Sequence, residues 1–341
     1  MMHLPDVGKY TKQDMLNVLL REEYGQLPPA PDRVEREVAA VDSTFCAGKA
    51  DLVKLQLRCR GAVNFDFPVQ FVCPKKAPRP VPCLIHLNFR PDLPDRYQPT
   101  EELVDRGYGV MTLYYEDVTR DNDDFTDGLA GVVYPGGVRT PAQCGKIGLW
   151  AWAALRMVET ARTMPEVDRE RITVIGHSRL GKTALLVGAL EERLYCAVSN
   201  DSGCSGAALA RGKTGERIRD IYRRFPYWFS TNYEKYVENE AEMPFDQHFL
   251  LAANFPHRVY VASARADAWA CPANEYESCR AASPFFEKQG RPGFRGPAAL
   301  PEGEACFHEG WIGYHIREGQ HYLSRQDWHR VMDYLERAHE G

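Results

Sequence analysis

The sequence predicts an α/β architecture: a mostly parallel central sheet with helices on both faces and an antiparallel N-terminal edge. Three observations predict it. The N-terminal third alternates apolar and polar residues with a period of two, as half-solvated antiparallel strands do. Beyond residue 80 the apolar runs become continuous, as in Cys83-Leu-Ile-His-Leu, Gly109-Val-Met-Thr-Leu-Tyr-Tyr and Ile172-Thr-Val-Ile. Strands of that kind are buried on both faces. Between and after them lie segments of helical periodicity, above all Lys146 to Arg162, and this alternation is the signature of a parallel sheet sandwiched by helices.

In chain order, Thr11-x-x-Asp14 ahead of Met15-Leu-Asn-Val-Leu-Leu20 reads as a capped surface helix, ended by the link Pro28-Pro-Ala-Pro31. Strands follow over 35–41, 52–59 and 65–73. Pro68 in the third cannot donate to a ladder and suits an edge. Later strands are expected at 197–200 and 259–264, and an amphipathic helix closes the chain. Two long loops, Asp117–Cys144 and Ser202–Asp246, emerge where an open α/β sheet binds its ligands. No repeat or long linker divides the chain. One domain over 1–341 is therefore expected, with a helix and linker over 1–33, antiparallel strands over 34–80 and the main layer over 81–341.

The chain has 341 residues, 44% hydrophobic and 26% charged, with a formal net charge of -5. That balance supplies a large core and argues against a nucleic-acid partner. No apolar run approaches the roughly 20 residues that span a bilayer. The N-terminus lacks the basic start and apolar centre of a secretion signal, so a cytoplasmic protein is expected. Its 10 cysteines are scattered without metal-ligand spacing, and several sit inside strand-like runs. They read as free, buried thiols in a reducing compartment. Neither a metal nor a cofactor is expected.

Chemistry is concentrated in Arg171-Ile-Thr-Val-Ile-Gly-His-Ser-Arg-Leu-Gly-Lys-Thr-Ala184. A β-branched strand runs into a tight turn carrying Ser178 and out into a helix, the context in which Gly-x-Ser exposes a nucleophile. The second glycine, Gly181, comes one residue later than usual, and a helix-capping serine would look similar. A nucleophilic serine needs a base and an acid, and the α/β-hydrolase fold supplies them further along the chain in the order acid, then histidine. His321 lies in a glycine-bearing loop just ahead of the final helix, the place for a base that reaches back over the serine. His315, in the apolar segment before it, reads as a packed residue. Asp201 and Asp267 each follow a strand, and either carboxylate could orient the imidazole. Phe225, Tyr227, Trp228, Phe229, Tyr233 and Tyr236 form an aromatic group that either walls a cleft or packs a core.

Co-linear motifs carry a family resemblance from about Pro82 to the C-terminus. Gly176-His-Ser-Arg-Leu-Gly-Lys-Thr-Ala184 resembles the Gly-Cys-Ser-Arg-x-Gly-Lys-x-Ala motif of the glucuronoyl esterases and their bacterial acetylxylan-esterase-like relatives. Asn200-Asp-Ser-Gly-Cys-Ser-Gly-Ala-Ala208 resembles their Glu-Ser-Gly-x-Gly-Gly segment, and Phe245-Asp-Gln-His-Phe-Leu-Leu-Ala-Ala253 their Pro-Phe-Asp-His-His segment. The resemblance implies an α/β-hydrolase fold and a serine esterase acting on uronic-acid esters of plant cell-wall saccharides, or alternatively on acetylated oligosaccharides. It implies Ser178 as nucleophile and His321 as base, with Asp201 as acid in the fungal pattern or Asp267 in the pattern of some bacterial members. Arg179 would help hold the oxyanion, unless it merely pairs with Glu191 or Glu192. Lys182 would bind sugar hydroxyls and Trp269 would stack on the sugar. His177 and Tyr322 occupy the positions at which fungal members carry a disulfide.

Overall fold

The computed structural model describes residues 4–340. One ten-stranded sheet runs through the molecule in the order β1-β2-β3-β5-β4-β6-β7-β8-β10-β9. Its strands are β1 (Arg33–Asp42), β2 (Ala50–Arg60), β3 (Phe65–Pro74), β4 (Val81–Asn88), β5 (Gly109–Tyr114), β6 (Val167–His177), β7 (Cys196–Asn200), β8 (Arg258–Ala264), β9 (Ala305–Phe307) and β10 (Ile312–Arg317). The six strands from β5 through β10 in that order are parallel, with Ile85 opposite Val174 and Val174 opposite Ala197. β1, β2 and β3 join antiparallel at one end, as the period-two pattern predicts. A short antiparallel β9 closes the other end.

The helices are α1 (Lys12–Leu19), α2 (Thr100–Asp105), α3 (Gly128–Val133), α4 (Lys146–Arg162), α5 (Arg179–Leu190), α6 (Ile218–Arg224), α7 (His248–Ala252), α8 (Pro272–Lys288) and α9 (Arg325–Glu340). Thr11 and Asp14 cap α1 reciprocally, as their spacing predicts. The continuous apolar runs bury both faces because successive side chains point to opposite sides. Leu84, Ile175, Val198 and Tyr260 pack against Leu103 of α2 and Trp328, Val331 and Leu335 of α9. Ile85, Val174, Ala197 and Val261 face the larger core built on α4, α5 and α8. Among the described residues, no helix is long and apolar enough to cross a membrane.

Two expectations about the N-terminal strands need correction. β2 alternates buried and half-buried residues, but β1 is exposed along nearly its whole length, with Val38 and Val41 each 55% exposed. As the terminal strand it has a neighbour on one side only. Pro68 does not lie on an edge strand, since β3 has neighbours on both sides. However, β5 pairs only with Gln70 to Val72, so at Pro68 the ladder is one-sided and the missing donor costs nothing.

Candidate active site

The centre of the site is the turn between β6 and α5. Ser178 adopts φ 56 and ψ −126, a backbone state that side chains disfavour and that the surroundings enforce. Its N–H donates to the carbonyl of Asn200 at 2.9 Å, and its own carbonyl accepts from Gly181 N and Lys182 N at 2.9 and 3.1 Å. The flanking glycines lie where a side chain would crowd the turn, Gly176 forbiddingly and Gly181 tightly. A Cβ on Gly176 would lie 2.1 Å from the Leu180 carbonyl oxygen, and one on Gly181 would meet Gly176 O, Ser199 Oγ and Ser202 Cβ at 3.1 Å. The late Gly181 therefore marks the point where helix and strand cross, while Leu180, fully buried, fills the core.

β10 runs parallel to β8, and the chain beyond it stays zipped to the end of β8: Arg265 N donates to Arg317 O and Ala266 N to Gly319 O, each at 2.9 Å. That pairing delivers His321 beside Asp267. Its Nδ1 lies 2.6 Å from Asp267 Oδ2. The carboxylate makes Nδ1 the donor and leaves Nε2 free to accept a proton. Asp267 is buried, which opposes ionisation, but hydrogen bonding and charge from His321 and the Ala270 N–H outweigh this and hold its carboxyl below the usual range. The His321 ring itself is 44% exposed.

Asp201 is close by but differently engaged. Its oxygens accept from Ala264 N at 2.7 Å and Tyr322 N at 3.3 Å, with the Arg317 guanidinium 3.7 Å away. Burial, then Glu275, Asp327 and Asp267, push its carboxyl well above the usual range against the pull of Arg317. The two candidate acids thus differ in kind: one is an anion bonded to the imidazole, the other a reluctant anion bonded to backbone. Asp201, Asp267 and His321 also present ligand-type atoms within 4.8 Å of one another. Those of Asp201 and Asp267 and His321 Nδ1 already carry protein hydrogen bonds.

Ser178, His321, Asp267, Asp201, Arg179 and Lys182 line one cavity of about 300 Å³. Arg179 does not pair with Glu191 or Glu192, which engage Arg193 and Lys12. Its guanidinium binds Asp121 and lies 4.7 Å over the Trp228 ring, and Trp228 Nε1 donates to Asp121 at 2.6 Å. Lys182 is buried, its ammonium bonded to the Ser202 carbonyl, and burial lowers its pKa. Among the described residues no carboxylate lies within ion-pair distance of it. Trp269, 53% exposed, stands on the same wall with its Nε1 bonded to Glu216 at 3.1 Å. The aromatic group divides: Phe225 and Trp228 line the cavity, whereas Phe229 and Tyr233 are core.

Asp121, Glu216 and Arg224 were not singled out by the sequence. They sit in the two long loops expected to flank a ligand, but nothing distinguishes Asp121 there from Asp123 or Asp124. Behind the site, His177 packs against His321 in a tilted contact with ring centroids 4.4 Å apart and stacks against Tyr97, which meets Tyr322 at 5.1 Å. His177 Nδ1 bonds Asn200 Oδ1 at 2.6 Å, and burial, then the charge of His321, depress its pKa to about 3. It is neutral at any working pH. All ten cysteines are free.

The family model described as "Glucuronyl esterase, fungi" matches residues 59–290. The chain belongs to the glucuronoyl esterase family. It is 34% identical over 238 residues to a carbohydrate esterase from an unknown prokaryotic organism, an alignment covering 69% of this chain and 55% of that protein. It is 26% identical to the 4-O-methyl-glucuronoyl methylesterase 1 of Wolfiporia cocos, covering 84% of this chain and 68% of the fungal one. The chain thus spans little more than half of the first relative and about two thirds of the second. The solved glucuronoyl esterase from Solibacter usitatus superposes with a TM-score of 0.87 at 28% identity, covering 98% and 97% of the two chains. A promiscuous family 15 carbohydrate esterase from a marine bacterial metagenome does so with the same score at 25% identity. The fold is therefore that of the α/β-hydrolase-type esterases of this family.

Proposed function

We propose that this glucuronoyl esterase family member hydrolyses esters of 4-O-methyl-glucuronoyl type through an acyl-enzyme on Ser178. The observation that carries the reading is the His321–Asp267 pair, lining the same cavity as a strained Ser178 and two cations. His321 Nε2 takes the Ser178 hydroxyl proton as Oγ attacks the ester carbonyl, then gives it to the departing alcohol. Water repeats the attack and releases the uronate and Ser178. Asp267 holds the tautomer and stabilises the imidazolium. The oxyanion meets the Arg179 N–H, which has no acceptor within α5, at the positive end of that helix. A backbone donor after Asn88 is the second partner, and removing one such donor typically costs about 3 kcal/mol.

Lys182 and Trp269 serve the sugar, one by donating to hydroxyls and the other by stacking. The names of the Wolfiporia and Solibacter relatives support a uronate over an acetyl substrate. Asp201 serves the loop rather than the imidazole. The test is hydrolysis of benzyl glucuronate by wild type and Ser178→Ala. The wild type turns it over and the variant is silent. A wild type active on aryl acetates but inert on the glucuronate ester would overturn the substrate, and an active Ser178→Ala would overturn the mechanism.

A further inference from the structure

The loop that presents His321 is gripped by one buried guanidinium. Arg317, the last residue of β10, is 4% exposed. Its Nη1 donates to the Glu318 carbonyl at 3.0 Å, and its Nη2 donates to the carbonyls of Gln320, at 3.2 Å, and Tyr322. The last two flank His321. Its Nε donates to both oxygens of Asp327 at 2.9 and 2.8 Å. Asp327, in the first turn of α9 and fully buried, also accepts from Ser324 N and Oγ at 2.6 and 2.7 Å and from His315 Nε2 at 2.8 Å. His315 Nδ1 in turn meets the hydroxyl of Tyr260 at 2.9 Å. On the opposite side, Asp201 takes the Tyr322 N–H.

We infer that Arg317, aimed by Asp327, is the positioning residue that sets the approach of His321 to Ser178. A buried ion pair adds little net stability over an apolar packing of the same volume. What it supplies here is a rigid planar fork that fixes carbonyls on both sides of one residue. This leaves the backbone of His321 locked while its ring stays accessible to substrate. A ring-bearing segment displaced by about 1 Å can lose a hundredfold in rate without losing its partners. The inference rests on His321 being the base.

The experiment compares wild type, Arg317→Lys and His321→Ala on benzyl glucuronate. It also records the low-field proton resonance of the His321–Asp267 hydrogen bond and the melting temperature. Lysine keeps the charge opposite Asp327 but not the fork. Arg317→Lys is expected to lower kcat about 10- to 100-fold with KM within twofold, and to shift or broaden the low-field proton. Millimolar guanidinium should restore part of kcat in Arg317→Ala. A kcat within twofold of wild type and an unmoved proton resonance would overturn the clamp, whatever happens to the melting temperature. Should Arg317→Lys be too unstable to assay, Asp327→Asn reads the same two quantities. An active His321→Ala overturns the parent reading instead, so the two failures are distinct.

Discussion

Replacing Asp267 by asparagine separates the two acids with one atom. In the native pair the carboxylate accepts from His321 Nδ1 at 2.6 Å and leaves Nε2 unprotonated. An amide at that position can donate its own N–H to Nδ1, which moves the imidazole proton to Nε2 and removes the base. Even with the right tautomer, the imidazolium formed during attack would lose its counter-charge. Two charges about 4 Å apart at an effective dielectric constant near 20 interact by about 4 kcal/mol. Solvent at the half-exposed ring trims this, and the tautomer loss adds to it, so kcat should fall by about a thousandfold or more. Asp201→Asn should behave differently. Its carboxyl accepts from two backbone N–H groups, one of which an amide leaves unmet at a cost of about 1–3 kcal/mol, so the loss should appear mainly in the melting temperature. The assay is uronic acid release from benzyl glucuronate, with thermal unfolding in parallel. An Asp267→Asn enzyme within tenfold of wild-type kcat, or an Asp201→Asn enzyme equally dead but fully stable, would refute the reasoning.

Three further outcomes follow from the geometry. Lys182→Met should reduce kcat/KM on the glucuronate ester about 10- to 100-fold, since a charged donor to a hydroxyl contributes about 1.5–3 kcal/mol, while hydrolysis of a small aryl acetate stays near wild type; equal losses on both would exclude a sugar contact. Burial raises the Glu23 carboxyl to about 8 in the folded chain, so the folded state holds its proton between the ordinary range near 4.5 and 8 and loses stability as pH rises through that window. Glu23→Gln, compared by melting temperature, should gain on wild type from pH 5 to pH 8 by on the order of 4 kcal/mol, and a pH-independent difference would contradict this. Dithiothreitol should leave activity unchanged, because the ten cysteines form no disulfide; a drop in rate on reduction would show that a bridge forms in solution.

The layer architecture was legible because buried strands and amphipathic helices write different periods, and Ile172 to Ile175 has no other comfortable state. What escaped were features set by position in the sheet. The exposure of β1 depends on its place at the end, and β9 is only three residues long, too short for any periodicity. The turn at Ser178 was legible from Gly176 and Gly181. The choice between Asp201 and Asp267 was not, because both are strand-end carboxylates of the same type. What separates their positions is strand order: β8, which leads to Asp267, is the neighbour of β10, which leads to His321, while β7 and Asp201 lie one strand further away. The partner of Arg179 was likewise out of reach, since Asp121 comes from a distant loop.

The rings of His177, Tyr97 and Tyr322 occupy the ground between the Ser178 turn and the His321 loop. Their contact is one of faces and edges, with no bond whose formation depends on an oxidant. The two segments are therefore joined by non-covalent packing alone. Because each ring contributes separately, the joint can also change by single substitutions, whereas a covalent bridge must be gained or lost in pairs. The packing at this joint carries no thiol, so it does not respond to the redox poise of its surroundings.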